Sequence, residues 1–234
     1  MPKTLLHLAG LVLALVGAEL NAADTGPPLI PVEEFSRGPA VASVQISPRG
    51  DRMALLQTAD GRVAIVLADG SGQNQQMRFR DPERSISNVA WSGTGRWLYF
   101  FQDAGGDEGF HLFALDPNTD SRPRDLTPFK SVTAEAIRGS TRSDTELIAL
   151  NRRNPSYSDV YRVDLATGQL TEVIRNPDRF IEFFAGHDGS ILAASAIEHD
   201  GSLTLHRPDG EGQWREIYRA PPTERFKVLI ADTH

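Results

Sequence analysis

Cysteine is absent from all 234 residues. That excludes disulfides, zinc–thiolate sites and thiol nucleophiles, and it leaves the chain to be held by its core alone. Lysine is almost as scarce. Lys3, Lys130 and Lys227 are the only three, so arginine carries nearly all of the positive charge. The net charge is -7 and no basic stripe runs along the chain, which argues against a nucleic-acid partner. Arg78-Phe79-Arg80 and Arg152-Arg153 are local concentrations of the kind that a phosphate site uses; scattered, solvated arginines are the plainer reading. No convincing amphipathic helix and no second long apolar run follow the N-terminus, so the mature chain is expected to be soluble, with no membrane partner after signal cleavage.

The N-terminus itself has a definite layout. Lys3 precedes an apolar run from Leu5 to Ala18, and small residues follow at Val16-Gly17-Ala18 and Ala22-Ala23. A basic start, a short apolar core and small residues at the end make a secretory signal peptide. The run falls short of the roughly 20 residues that a spanning helix needs. The expected organisation is a signal peptide over 1–23, an N-terminal arm over 24–39 and a single β domain over 40–234, in a periplasmic or secreted protein.

Beyond Pro31 the chain reads as short strands separated by turns. Val44-Gln45-Ile46 leads through Ser47-Pro48-Arg49-Gly50-Asp51 to Met53-Ala54-Leu55-Leu56. Val89-Ala90-Trp91 leads through Ser92-Gly93-Thr94-Gly95 to the run Trp97–Phe101. Both are hairpins. A second marker recurs with them. Asp69, Asp116, Asp164 and Asp209 each end a strand and open a turn, at intervals of 47, 48 and 45 residues. An aspartate there caps backbone amides two residues on. Four strands in every 45 to 48 residues is the size of a propeller blade. The fold class is therefore all-β: about four propeller blades of four antiparallel strands. Trp91, Trp97, Phe100 and Phe183 are expected between neighbouring sheets.

Several segments then resemble one family. Phe101–Glu108 followed by His111–Asp116, then Asp125-Leu126-Thr127-Pro128-Phe129, then Asn151–Pro155 running into Asp159–Gly168, are similar to the propeller of secreted bacterial members of the prolyl oligopeptidase family. The resemblance covers roughly residues 40 to 220 in order. It departs at Asn154, where the family commonly has an acid, and at Gly109, where a polar residue is commoner. It implies a propeller of seven or eight blades that caps a C-terminal α/β-hydrolase domain and limits which peptides reach a catalytic serine. That serine sits in a Gly-x-Ser-x-Gly elbow, and no serine in this chain has glycine two positions away on both sides. No catalytic residue is assigned, and the chain alone is not expected to be an enzyme. Phe226–Ala231 reads as the opening strand of a further blade, so the chain reads as the front part of a longer peptidase. An open stack of blades leaves its outer faces uncovered, and marginal stability or self-association is expected. The expected partners are a peptide substrate together with a hydrolase domain. The alternative is a free-standing periplasmic, TolB-like propeller that serves as a binding or scaffold module.

The stretch Gln102–Gly109 (QDAGGDEG) is the most conspicuous site candidate. Asp103, Asp107 and Glu108 are hard oxygen ligands, but their spacing is not that of a calcium loop, and no metal or cofactor is assigned. Paired acids also suit the free amino terminus of a peptide, and the resemblance implies that use. The third reading is a hairpin turn with solvated acids. His111, His187, His199 and His206 read as structural or surface residues, with Asp188-Gly189-Ser190 forming a turn beside His187.

Overall fold

The computed structural model describes residue 31 and residues 40–59, 61–84, 86–103, 109–137, 143–210 and 212–228. Sixteen strands fill them. The first sheet holds β1 (Val41–Ile46), β2 (Arg52–Ala59), β3 (Arg62–Asp69) and β4 (Gln76–Phe79), and the second β5 (Ser87–Trp91), β6 (Leu98–Asp103), β7 (Phe110–Leu115) and β8 (Arg124–Asp125). The third holds β9 (Ala134–Ala136), β10 (Thr145–Asn154), β11 (Tyr157–Asp164) and β12 (Leu170–Ile174), and the fourth β13 (Glu182–Ala185), β14 (Ile191–Ile197), β15 (Leu203–Pro208) and β16 (Trp214–Ala220). Each sheet is an antiparallel meander in chain order, and among the described residues there is no helix. These are four propeller blades, as the repeat predicts.

Alternation explains why the strands are so apolar. In the run Leu98-Tyr99-Phe100-Phe101, Leu98 and Phe100 enter the cluster shared with the first blade, beside Ala54, Leu56, Ile65 and Trp91. Phe101 enters the cluster shared with the third blade, beside Leu112, Ile148, Leu150 and Val163, and Tyr99 packs against it. Successive side chains point to opposite faces, and here both faces are covered, so an unbroken apolar run results. Leu147 and Val160 face the fourth blade, where they meet Phe180, Phe183, Ala194 and Ala196. Phe100 is fully buried and stacks on Phe113 at 5.4 Å.

The two end faces differ from these seams. Val44, Leu55, Val66 and Met77 lie in register across the first blade, as do Ile46, Met53 and Ala68. On that face Val44 is 49% exposed, Ile46 61% and Met77 56%. On the last face of the fourth blade Ile197 is 61% exposed and Tyr218 49%, with Phe226 set edge-on to Tyr218. Phe226-Lys227-Val228 forms no strand among the described residues, and the rest of the segment read as a further blade's opening strand, 229–231, lies outside them.

The meander sends the loops to two ends. One end carries the turns from first to second and from third to fourth strands, and here the repeated markers are structural. Ser47 Oγ donates to Asp51 and accepts from the amide of Arg52. Ser92 Oγ accepts from the amide of Trp97 and donates to Asp144 of the next blade, which Thr94 also contacts. Asp69 accepts from the amides of Ser71 and Gln73, Asp116 from that of Asn118, and Asp164 from that of Thr167. The Ser71 hydroxyl first, and then the Gln73 amide, hold the Asp69 carboxyl down at about 2. Gly70 has a separate reason to be glycine: a Cβ there would lie 2.4 Å from the Gly50 carbonyl oxygen of the neighbouring turn.

Arginines staple the blades together. Arg52 donates to the Gly95 carbonyl and to the Asn118 side chain, and Arg78 to the carbonyls of Asp116 and Ser121, all across the first seam. Arg124 donates to the carbonyls of Leu165 and Ala166 across the second seam, and Arg162 to that of Gly189 across the third. Arg124→Lys keeps the charge but loses the planar fork. It should cost about 1 kcal/mol, read in a thermal melt as a Tm lower by about 2–4 °C; an unchanged Tm would show that the staple carries no load.

Candidate functional site

The opposite end carries the loops from second to third strands and the connections between blades. Asp103 is placed there, as the last residue of β6 and the register partner of Phe110. Its carbonyl accepts from Arg84 Nη1 at 2.8 Å. Asp107 and Glu108 lie outside the described residues, so the grouping of the three acids is not part of this description.

Beside Asp103, the first strands of three blades leave an open cleft of about 520 Å³. Ser43 and Gln45 of β1, Ser87, Asn88, Val89 and Ala90 of β5, and Ala134, Glu135 and Ala136 of β9 form its walls, and Tyr99, Phe101 and Phe110 close it. The polar groups come from a local break in pairing. The register of β5 shifts between Ser87 and Ala90, and Asn88 between them takes a φ of 54°. Such a bulge re-aims side chains, and asparagine tolerates the left-handed region better than most. Ser87 Oγ donates to the Phe101 carbonyl at 3.2 Å, and Trp91 Nε1 donates to the Gln45 carbonyl at 3.1 Å, tying β5 to β6 and to β1. Glu135, exposed on β9, is the carboxylate among the described lining residues.

Behind the cleft wall lies a buried acid. Glu146 of β10 is 6% exposed and pairs with the Tyr99 hydroxyl. Burial pushes its carboxyl up to about 7, the Tyr99 hydrogen bond opposing this only in part, and burial with the neighbouring Glu146 raises Tyr99 as well.

Two connections between blades share a pattern that the strand-and-turn reading passed over. Arg80-Asp81-Pro82-Glu83-Arg84-Ser85-Ile86 and Arg175-Asn176-Pro177-Asp178-Arg179-Phe180-Ile181 match at four positions and in the type of two others' side chains, 95 residues apart. The geometry repeats too. Asp81 accepts from the amides of Glu83 and Arg84; Asn176 accepts from those of Arg179 and Phe180. Arg84 reaches the carbonyl of Asp103, and Arg179 reaches Glu198 at 2.6 Å, both residues at the end of a second strand. In the third blade Arg153 grips the fully buried Asp159 through Nε and Nη2 and reaches Asp178, while Asn154 also donates to Asp178. Both aspartates hold the Arg153 guanidinium firmly in its charged form. The Asn151–Pro155 loop is thus tied into the connection that follows it.

The histidines fall into separate roles. His111 Nδ1 meets Asp125 at 2.7 Å and joins β7 to β8. Asp188 accepts from the amide and hydroxyl of Ser190, the turn expected beside His187. His206 is buried against Phe180 and bonds Thr204 through Nε2; burial first, then Arg179, lowers its affinity for a proton. Glu198, His206 and Glu216 bring potential metal-ligand atoms within 4.8 Å of one another. Arg179 already holds Glu198, and Arg219 holds Glu216 at 2.7 Å. Two guanidinium charges stand where a cation would have to be stabilised, so the group reads as an ion-pair network.

Known proteins place this arrangement. The chain is 32% identical over 205 residues to dipeptidyl aminopeptidase BIII of Pseudoxanthomonas mexicana, across 86% of this chain and 30% of that protein. The chain is related to the prolyl oligopeptidase-type serine peptidases, through their propeller. Among solved structures it superposes on prolyl oligopeptidase B from Galerina marginata with a TM-score of 0.57 at 12% identity, over 88% of this chain and 32% of that one. The putative TolB of Agrobacterium tumefaciens gives 0.50 at 14% identity, over 74% of this chain and 63% of that one. These two similarities concern the fold alone. No family model matches the chain. It spans about 30% of the length of the aminopeptidase that it matches.

Glu146 makes a pH prediction. Its carboxyl is raised in the fold, so the folded state holds a proton there that the unfolded chain releases from about 4.5 upward. Its contribution is fully present below that pH and is lost as pH rises through about 7. In Glu146→Gln that loss should vanish. Urea titrations at several pH values should show the variant gaining on the wild type by on the order of 2 kcal/mol between pH 4.5 and pH 8. Parallel stability profiles would refute the assignment.

Proposed function

We propose that this chain supplies blades of the substrate-gating propeller of an exported serine peptidase that acts on short peptides, and that it does not hydrolyse peptides by itself. The observation that carries the reading is the cleft on the first strands of three blades, in a chain whose relative is named a dipeptidyl aminopeptidase. The sequence has no Gly-x-Ser-x-Gly elbow, and Ser92, fully buried and bonded to Asp144, serves a turn. The proposal of export, to the periplasm or outside the cell, is supported by the N-terminal pattern of residues 1–23.

Within the cleft, Glu135 is the group to receive a peptide ammonium by a charge-assisted bond, with Gln45, Asn88 and Ser43 as neutral partners. Asp103, on the strand that also carries Tyr99 and Phe101, is proposed to add to that field, and so are Asp107 and Glu108. The rival, a free-standing TolB-like scaffold, has the fold in its favour, and it predicts no preference for a free amino terminus.

The purified chain should neither turn over dipeptidyl or acyl-aminoacyl chromogenic substrates nor react with a fluorophosphonate probe. Turnover that the probe abolishes would overturn the non-catalytic reading. By calorimetry, a dipeptide amide with a free amino terminus should bind about tenfold more tightly than its N-acetyl form, and Glu135→Gln should remove most of that difference. Equal binding of the two forms would favour the scaffold.

The apolar end faces need cover, and the proposed cover is further blades of the same kind or a second copy of the chain. Sedimentation equilibrium should show the isolated chain self-associating as its concentration rises, and Ile46→Glu or Ile197→Glu should weaken this. A monodisperse monomer with a sharp cooperative melt would sink this proposal.

A further inference from the structure

The first-strand cleft has two unlike walls where the second and third blades meet. Tyr99 and Phe101 face the third blade, and register puts their cross-strand neighbours on the same face. Ala90 pairs with Tyr99, Ser87 with Phe101, and Phe110 with Asp103, which continues the alternation from Phe101. On the third blade Ala134 and Ala136 look back at them: Ala134 lies in the cluster that holds Phe101, and Ala136 is in register with Ile148 of that cluster. One wall therefore carries aromatic rings and the other only methyl groups. The cleft follows from that mismatch, since an alanine fills far less of the gap between sheets than Ile148 or Leu150 does one strand further out.

The aromatic wall is held in place and partly uncovered. Phe101 and Ala134 are buried and close the floor. Tyr99 stands edge-on to Phe101 at 6.5 Å, with its hydroxyl held by Glu146. Phe110 is 36% exposed, and Ala136 opposite is exposed as well. This is not the exposure of the end faces. Phe110 looks toward the third blade, which is present, so no blade stacked on either end of the chain would cover it. Ser43 and Gln45 also point inward, because Val44 and Ile46 take the end face. A preformed apolar surface inside a cleft with polar groups around it is the usual form of a small-ligand site.

Glu135 lies between the two alanines, on the same short strand. The ammonium and the side chain of a peptide's first residue leave the same Cα. A carboxylate that receives the one therefore brings the other to the neighbouring slot. We propose that the slot between Phe110 and Ala136 receives a large apolar side chain, above all a flat aromatic one, from the amino-terminal residue of the bound peptide. The ring of Phe110 offers it offset or edge-on contact. The cleft would then select peptides by their first residue as well as by their free amino terminus. This inference rests on the ammonium-binding role proposed for the same cleft and adds the class of peptide that it takes.

The test is calorimetry on the whole chain with Phe-Ala-amide, Gln-Ala-amide and Gly-Ala-amide, all with free amino termini. Phe-Ala-amide should bind about tenfold more tightly than either of the others. Phe110→Ala should bring the Phe and Gly peptides to within about twofold of each other. Ala136→Leu, which fills the slot from the other wall and removes no core side chain, should do the same. Glu135→Gln should weaken all three peptides and keep the preference for Phe. Equal binding of the Phe and Gly peptides to the wild type, or a preference that survives both Phe110→Ala and Ala136→Leu, would overturn the slot; if acetylation still weakened both peptides, the ammonium reading would stand without it. Gln-Ala-amide binding as tightly as Phe-Ala-amide would overturn the apolar assignment. Binding of none of the three would overturn the slot and the ammonium reading together.

Discussion

Each seam between blades is closed by an arginine that gives its guanidinium to backbone carbonyls of the next blade, and the stack depends on that contact. Apolar side chains between sheets are interchangeable within limits, and they do not fix how one sheet is rotated or slid against its neighbour. Arg52, Arg78, Arg124 and Arg162 do so, because each aims at a carbonyl in a turn whose position is set by its own caps. A guanidinium offers five donors in a plane and can serve two acceptors at once, as Arg124 does with Leu165 and Ala166. An ammonium has no such plane, and its stronger hydration resists partial burial. This gives a physical reason for a chain with only three lysines.

The division of the loops between two ends follows from the same constraint. The stapled turns must be rigid, and they spend their aspartates and serines on turn groups: Asp69, Asp116 and Asp164 accept from backbone amides, and Asp51 accepts from the Ser47 hydroxyl, which itself accepts from the Arg52 amide. What remains for recognition gathers where the second-to-third strand loops meet the connections between blades. There the polar side chains bond across elements, as Arg153 does with Asp159 and Asp178, or line open space, as Asn88 and Glu135 do. A propeller thereby separates the end that holds the blades from the end that meets a ligand.

Most of the architecture was legible in the sequence because it rests on local signals. The aspartate rhythm, the glycine turns and the doubly covered strands such as Leu98–Phe101 each follow from one residue's needs. The cleft was not legible. Ser43, Asn88 and Glu135 are unremarkable in their own segments and converge only when three first strands come side by side. Glu146 was hidden for a related reason: its burial and its bond to Tyr99 arise between two blades. Asp103 drew notice through its glycine-rich surroundings, and its contact with Arg84 is made by its backbone carbonyl. That contact carries no mark of side-chain type.

The connection repeat was legible and is more informative than the strands. A strand buried on both faces asks only for apolar side chains of suitable bulk, so equivalent strands drift apart: Leu98-Tyr99-Phe100-Phe101 in the second blade and Leu147-Ile148-Ala149-Leu150 in the third share little beyond apolar character. A connection has several fixed duties within seven residues. It must leave the outer edge of one sheet, cap itself, place an arginine against the next blade's second strand and deliver an apolar residue to the seam. Asp81 and Asn176 do the capping and Arg84 and Arg179 the reaching, while the core residue shifts by one place: Ile86 is buried in the first connection, and Phe180 rather than the exposed Ile181 in the second. Each duty selects a narrow residue type, so identity survives there over a distance of two blades. In a fold built from repeated sheets, the record of repetition is kept by the segments with the most hydrogen bonds to satisfy.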